Sequence, residues 1–321
     1  MNVPKRVLLT DRAWPSADVE QRILEGVDAE LVEAADSDES TLCELAGDCC
    51  AIATCWAPVS AKVIRAATDC RVVTRMGIGL DNISVETATS LGIPVTNVPD
   101  YCVAEVSDHA LALILACGRK VAFFNQRAKS GVYDLQEGAT LRRIEGQVLG
   151  LVGLGHIGRA LFAKARALGF EVIAYTPSGD AHNTGCRMVS FDELLARSDF
   201  ISLHVPLVPD SVGMLGQREF ERMPSGAYLI NTSRGGLVDH HALWNAIQAG
   251  HIAGAALDVF DPEPPDLSQP LFSDSRVIVT PHAAFLSAES LLELRTRAMQ
   301  QIAAVLQGRR PDHVVNPEVF A

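Results

Sequence analysis

Residues Leu149–Gly158 read LGLVGLGHIG. Val148–Val152 is an apolar run suited to a buried strand, and Arg159–Leu168 carries apolar residues at helical spacing. Gly153, Gly155 and Gly158 lie between them. Strand, glycine turn and helix in that order are the context a dinucleotide fingerprint requires. Gly153 would make the tight turn. Gly155, with no Cβ, would let a pyrophosphate approach the backbone, and Gly158 would let helix and strand pack closely. The helix N-terminus, with His156 and Ile157 in its first turn, offers unpaired N–H groups and partial positive charge to phosphates. A glycine turn can join any strand to any helix. The flanking pattern is what favours the nucleotide reading.

One part of that fingerprint is missing. The next strand is expected at Glu171–Tyr175, EVIAY, followed by an acidic residue about 20 positions after the glycines to hold the ribose hydroxyls. Thr176 occupies that position, and Thr176-Pro177-Ser178-Gly179-Asp180 contains no Arg. Threonine cannot accept two hydroxyl hydrogen bonds as a carboxylate does, nor does it repel a 2′-phosphate. The expected cofactor is therefore NAD or NADP, with a lean to NAD.

The 321 residues allow two domains and ample core. With 48% hydrophobic and 21% charged residues the composition is that of a soluble globular protein. A net charge of −12 argues against nucleic acid or an anionic membrane as partner. No apolar run reaches transmembrane length and Met1–Thr10 lacks a signal-peptide pattern, so a cytoplasmic location is expected. Seven of the eight cysteines precede residue 120 and none forms a CxxC pair. They read as small buried hydrophobes in a reducing compartment, and no metal site is expected. His240-His241 reads as the solvated start of a helix.

In chain order, strands are expected at Arg6–Thr10, Glu30–Val32, Ala51–Thr54, Arg71–Thr74 and Pro94–Thr96. Helices alternate with them. Ser16 is expected to cap the first, Thr41 and Glu44 to form a capping box, and Ala61–Ala67 to be helical. Pro99-Asp100-Tyr101 marks a crossing point. Val103–Phe124 then reads as one long helix, apolar on most sides. Ser130–Arg143 is polar and irregular. Beyond the nucleotide strand, Ser190 and Glu193 form a capping box before Phe191–Ala196. Strands are expected at Phe200–His204, Ala227–Asn231, Ala253–Val259 and Val277–Thr280. Asp239 caps a helix that Gly250 closes, and Ser287–Leu306 is the last helix. The pattern is α/β with two parallel-sheet domains.

Three polar residues follow strand ends in the second half: Arg234, Glu263 and His282. In a parallel sheet all strand C-termini face one crevice, the one where the glycine turn would hold a dinucleotide. Arg presents a fork of donors for a carboxylate. His can give a proton to a carbonyl oxygen. Glu beside it favours the imidazolium and would raise the histidine pKa. In the first half, Arg75-Met76-Gly77-Ile78-Gly79 is a glycine-rich turn after a strand, with backbone N–H groups suited to a carboxylate.

Together these motifs resemble the D-isomer-specific 2-hydroxyacid dehydrogenase family. The resemblance is carried by Leu149–Gly158, Asn231–Asp239 (NTSRGGLVD), Gly254–Pro264 (GAALDVFDPEP) and Thr280–His282, and it covers essentially the whole chain. It implies two Rossmann-like or flavodoxin-like domains, with a nucleotide domain of residues 102–286 inserted into a discontinuous substrate domain of residues 1–101 plus 287–321. It implies that Arg234 binds the substrate carboxylate, that His282 is the acid/base, and that Glu263 pairs with His282. Arg75, Gly77, Ile78, Gly79 and Phe285 would contact substrate. Asp258 would meet the nicotinamide carboxamide, while His204, Val205, Pro206 and Thr232 would join the cofactor contacts. The helix Val103–Phe124 resembles the family's dimer-forming helix, so a homodimer through the cofactor domain is expected.

The chain also departs from the family pattern. Thr176 stands where most members have Asp. Glu263 stands where the formate dehydrogenase branch has Gln, which speaks against formate. With the sequence ending at Ala321, the regulatory C-terminal domains of some phosphoglycerate dehydrogenases are expected to be absent. Arg75 occurs in phosphoglycerate dehydrogenases and in the branch of the C-terminal-binding proteins, and Pro281-His282-Ala283-Ala284-Phe285 resembles that second branch. The expected function is NAD(P)-dependent reduction of a small 2-oxo acid to its (R)-2-hydroxy acid. The alternative is a corepressor-like, cofactor-sensing binding protein with little turnover. A phosphonate- or phosphite-oxidising relative would share the Arg, Glu and His set.

Overall fold

The structure, a computed structural model, describes residues 5–136 and 141–321. Part of the polar stretch Ser130–Arg143 and the first residues of Met1–Thr10 lie outside the described residues. The chain divides into two compact units, one running to Tyr101 and resuming at Ser287–Ala321, the other Cys102–Leu286.

In the first unit, β1 (Lys5–Leu9), α1 (Asp18–Glu25), β2 (Ala29–Glu33), α2 (Glu39–Ala46), β3 (Ala51–Thr54), α3 (Ala61–Ala66), β4 (Val73–Arg75), α4 (Val85–Ser90) and β5 (Val95–Thr96) alternate. The sheet order is β2-β1-β3-β4-β5, and every pairing is parallel. This is a doubly wound order of the flavodoxin kind. One face packs Leu8, Ile52, Val73 and Val95 against Leu42, Val63 and Ile64, all fully buried. Burying each such side chain contributes about 1.5–3 kcal/mol.

Strand and helix ends here shift by one or two residues from the expected ones, and both expected helix starts differ in their caps. Ser16 is not the cap of α1; Ala17 holds that position, and the Ser16 hydroxyl donates to the Asp18 carboxylate. Thr41 and Glu44 lie inside α2, which starts after Asp38, so they form no capping box. The fourth strand begins at Val73 rather than Arg71, where its pairings with Ile52 of β3 and Val95 of β5 start.

The second unit continues with α5 (Val103–Gly118), α6 (Val121–Lys129), β6 (Val148–Val152), α7 (His156–Ala167), β7 (Glu171–Tyr175), β8 (Arg187–Met188), α8 (Phe191–Arg197), β9 (Phe200–Leu203), α9 (Gln217–Arg222), β10 (Ala227–Asn231), α10 (His240–Gln248), β11 (Ile252–Leu257), α11 (Pro270–Ser273) and β12 (Val277–Val279). The order β12-β11-β10-β9-β6-β7-β8 reverses direction between β6 and β9, which defines a topological switch point. Alternate strand residues enter opposite cores. Val152, Ile173, Leu203 and Leu229 face Leu194, Leu195, Leu243 and Ile247. Leu149, Leu151, Val172 and Ile230 face Leu113, Ile114, Leu161 and Phe162.

The single helix expected over Val103–Phe124 is two helices. A Cβ at Gly118 would stand 2.8 Å from Ile144 Cδ1 and 3.0 Å from Phe200 Cζ. That close packing requires glycine there; the helix ends with Arg119 as its cap, and Lys120 turns the chain with φ +51. The apolar residues continue into α6, so periodicity alone conceals the break.

Asp239 accepts from Ala242 N–H and caps α10 as expected. Ser190 accepts from Glu193 N–H, but the Glu193 carboxylate pairs with Arg187 and Arg197, so the box is half formed. His240 is not solvated: its ring packs edge-on against Phe272, its Nε2 is buried, and burial lowers its pKa.

The last helix, α12 (Ala288–Leu306), returns to the first unit, where Leu294, Ala298, Met299 and Ile302 are buried. Arg295 grips the fully buried Glu20 of α1 with two hydrogen bonds, at 2.8 and 2.7 Å. Asn316 accepts from Val95 N–H at 2.7 Å and donates to Ile93 O and Thr89 Oγ1. Among the described residues no helix is long and apolar enough to cross a membrane.

Candidate active site

The glycine turn follows β6 directly. Gly153 has φ +101, and a Cβ there would lie 2.4 Å from His204 O. A Cβ on Gly158 would lie 2.4 Å from Gly153 O, so this position tolerates no side chain. Gly155 is different: a Cβ would meet nothing within 4 Å. Its backbone opens to space at the start of α7, whose first-turn N–H groups no side chain caps. His156 is exposed and Ile157 half-buried. Two glycines shape the turn and the third leaves a bare approach to backbone donors. That arrangement fits a pyrophosphate.

The neighbouring strand ends complete this side. Val152 pairs with Tyr175, which places the half-exposed Thr176 beside the turn. The Thr176 hydroxyl lies 3.4 Å from that of Ser178. On the other side, His204 N–H donates to Val152 O at 2.7 Å and leads into Val205 and Pro206. The His204 ring is half-buried with its Nδ1 shielded from solvent, its Nε2 lies 2.9 Å from Ser202 Oγ, and burial pushes its pKa down to about 4. After β10, Thr232 is buried and its Oγ1 has no partner among the described residues.

Arg234, Glu263 and His282 follow β10, β11 and β12, three adjacent parallel strands, so they share one edge of the sheet. The fully buried Asn231 pins the first loop. Its Nδ2 donates to Arg234 O at 2.8 Å and its Oδ1 accepts from Ser233 N–H. The next residue is Gly235, where a Cβ would fall 2.0 Å from the Phe260 carbonyl carbon. Glycine therefore lets this loop touch the loop that carries Glu263.

Glu263 Oε1 accepts from Phe260 N–H at 2.8 Å, and Oε2 lies 2.7 Å from His282 Nδ1. Burial pushes the Glu263 carboxyl pKa up. The His282 contact, the Phe260 N–H and the charge of Arg234 outweigh burial and bring it below its usual 4.5. His282 itself sits at φ +51, with its N–H donating to Asp258 O at 2.8 Å. Phe285 stands edge-on to it, ring centres 6.1 Å apart.

Asp258 is fully buried. Its Oδ1 accepts from Thr280 Oγ1 at 2.5 Å and from Ala283 N–H at 2.9 Å, and its Oδ2 from Ala284 N–H at 2.9 Å. The carboxylate thus supports the loop that carries His282. Asn231 and Thr280 open two of the motifs that carry the resemblance but have no role assigned there, and His109 lies outside all of them. A polar residue closing an apolar strand was the available signal for Asn231, and a lone histidine in an apolar helix for His109.

Arg75, Gly77, Ile78 and Gly79 belong to the first unit. Arg75 is buried at the end of β4, and its Nη1 donates to Met76 O. A Cβ on Gly77 would lie 2.6 Å from Arg75 Nη1. The loop is held by Val98 N–H on Gly77 O and by Asn97 Nδ2 on Ile78 O. Among the described residues the Gly77, Ile78 and Gly79 N–H groups make no hydrogen bond.

Comparison with known proteins finds relatives over most of the chain. A family model described as D-isomer specific 2-hydroxyacid dehydrogenase, NAD binding domain, matches residues 111–284. A D-3-phosphoglycerate dehydrogenase of Archaeoglobus fulgidus is 37% identical over 263 residues, covering 80% of this chain and 49% of that protein. The chain thus spans about half the length of that relative. A glyoxylate reductase of Korarchaeum cryptofilum is 34% identical over 294 residues and covered to 89%, as is this chain. The crystal structure of an Aquifex aeolicus D-lactate dehydrogenase complexed with NAD and lactic acid superposes with a TM-score of 0.87 at 27% identity, covering 97% of this chain and 99% of that one. These relatives are dehydrogenases and reductases by name, which does not favour the corepressor-like alternative. The chain belongs to the D-isomer specific 2-hydroxyacid dehydrogenase family.

Proposed function

We propose that this protein is an NAD(P)-dependent 2-oxo acid reductase, interconverting a small 2-oxo acid and its (R)-2-hydroxy acid. The observation that carries the reading is the His282–Glu263 pair at 2.7 Å, on the same sheet edge as Arg234 and the glycine turn.

The glycine turn and the first turn of α7 hold the pyrophosphate through N–H groups, and the buried Thr232 hydroxyl faces the same set of strand ends. The chemistry supplied by the dinucleotide, when bound, is two electrons and a hydrogen for the substrate C2. Arg234 grips the substrate carboxylate through its guanidinium fork. Glu263, ionised, accepts the Nδ1–H of His282, fixes the ring orientation and offsets the positive charge of the ring when both nitrogens carry a proton. From that doubly protonated ring the proton moved to the developing alkoxide is the one on His282 Nε2, and the Nδ1–H stays on Glu263's side. Phe285 beside His282 favours a substrate substituent that is partly apolar. Thr176 admits NAD as first cofactor without excluding NADP.

We also assign the protein to a homodimer and to the cytoplasm. α6 buries none of its residues, Val121 is 57% exposed, and beyond it Tyr133 and Leu135 are 98% and 86% exposed. An apolar surface of this kind is what a second copy would cover. All eight cysteines are free, as in a reducing compartment. Light scattering on a sizing column tests the dimer.

The activity is tested by initial rates with glyoxylate, hydroxypyruvate, pyruvate, phenylpyruvate and 3-phosphohydroxypyruvate, each with NADH and NADPH. Saturable cofactor oxidation is expected. No oxidation with any of them, despite cofactor binding, would overturn the reading.

A further inference from the structure

His109 lies on α5, far in sequence from the strand-end residues. Its side chain is 25% exposed, and its Nε2 lies 3.1 Å from Thr280 Oγ1 and 3.6 Å from Asp258 Oδ1. The Thr280 hydroxyl has one hydrogen, and it goes to Asp258 Oδ1. His109 Nε2 must therefore be the donor to Thr280, which requires the proton on Nε2. Among the described residues His109 is the one basic side chain within ion-pair distance of the buried Asp258 carboxylate.

That carboxylate in turn receives the N–H groups of Ala283 and Ala284, while the Asp258 carbonyl receives that of His282. The His282 backbone is left-handed, a conformation a non-glycine residue holds only when its surroundings enforce it. A chain of hydrogen bonds therefore runs from α5 through Thr280 and Asp258 to the backbone that sets the His282 ring.

We infer that His109 is a positioning residue for His282. It donates to Thr280, keeps the threonine hydroxyl turned toward Asp258, and so locks the 282–284 backbone. It touches no reacting atom. The inference rests on the proposed role of His282 only for its effect on turnover; the locking of the loop stands independently.

The experiment is hydrogen–deuterium exchange of the 281–286 segment, paired with steady-state kinetics, in His109→Leu, His109→Gln and Thr280→Val. Glutamine retains an N–H donor; leucine does not. Exchange of 281–286 is expected to accelerate at least tenfold in His109→Leu and Thr280→Val, and to stay within threefold in His109→Gln, with β11 unchanged in all three. kcat should fall about tenfold in the first two variants and recover in His109→Gln, while the cofactor Kd moves less than twofold. Unchanged exchange in both His109→Leu and Thr280→Val would overturn the inference, as would equal damage in His109→Gln and His109→Leu. Should His109→Leu fail to fold, Thr280→Val against His109→Gln decides alone. If the wild type turns over no 2-oxo acid, the exchange data still decide the locking while the proposed reaction fails separately.

Discussion

Glu263 Oε2 lies 2.7 Å from His282 Nδ1, while its Oε1 takes the N–H of Phe260. Both carboxylate oxygens are thus committed, one to the backbone of its own loop and one to the histidine. The charge beside His282 is rigidly held. Replacing it in Glu263→Gln keeps the shape and removes the charge. A charge-assisted hydrogen bond of this kind contributes about 1.5–3 kcal/mol. kcat is therefore expected to fall roughly 10- to 100-fold, with the cofactor Kd unchanged. Steady-state rates and a fluorescence titration check this, and an unaltered kcat contradicts it.

The three glycines of the turn separate stability from binding. Gly155→Ala adds a methyl group that meets no atom within 4 Å, at a φ of −71 that alanine accepts. Its folding stability should stay within about 0.5 kcal/mol of wild type, while cofactor affinity falls at least tenfold. Gly158→Ala drives a methyl group to 2.4 Å from a backbone oxygen. It should cost about 1–3 kcal/mol of stability as an overpacked site. Urea unfolding and cofactor titration of both variants test the pair. Equal behaviour of the two would contradict the assignment.

Thr176 follows β7 where a carboxylate would hold the ribose hydroxyls. Thr176→Asp supplies that acceptor and repels a 2′-phosphate. The ratio of NADPH to NADH dissociation constants is expected to rise at least tenfold, measured by titration without substrate. A constant ratio would show that Thr176 does not face the ribose.

Burial lowers the His204 pKa from 6.5 to about 4. Between those values the unfolded chain carries a proton that the folded chain refuses. Stability therefore falls as pH drops through this window and rises as pH climbs back. At about 1.4 kcal/mol per unit, this group alone removes about 2 kcal/mol at pH 5 relative to neutral pH. Urea unfolding at pH 7.5 and 5.0 should show that loss in wild type and a correspondingly smaller one in His204→Gln. Equal losses in both proteins would contradict the buried neutral imidazole.

The strands Val148–Val152, Glu171–Tyr175 and Ala227–Asn231 were legible to the residue. Each has an apolar centre bounded by a turn, and both faces of this sheet pack against apolar cores. The strand-end position of Arg234, Glu263 and His282 was legible for the same reason, since a parallel sheet aligns its C-termini. The break in Val103–Phe124 was not legible from periodicity, because Lys120 turns the chain with φ +51 while the apolar residues continue into α6. The cap at Ser16 failed because its hydroxyl found the Asp18 carboxylate instead of a backbone N–H. The His109–Thr280–Asp258 chain joins residues 22 to 171 positions apart, and only the folded chain brings them together.

We propose that His282 moves the proton and the glycine turn holds the cofactor, as separate functions of one sheet edge. Turnover of His282→Ala with the best 2-oxo acid, alongside its cofactor Kd, separates the two. Loss of the acid should cost about 10²–10⁴-fold in kcat, with the Kd within twofold of wild type. Turnover retained within threefold of wild type would contradict the account.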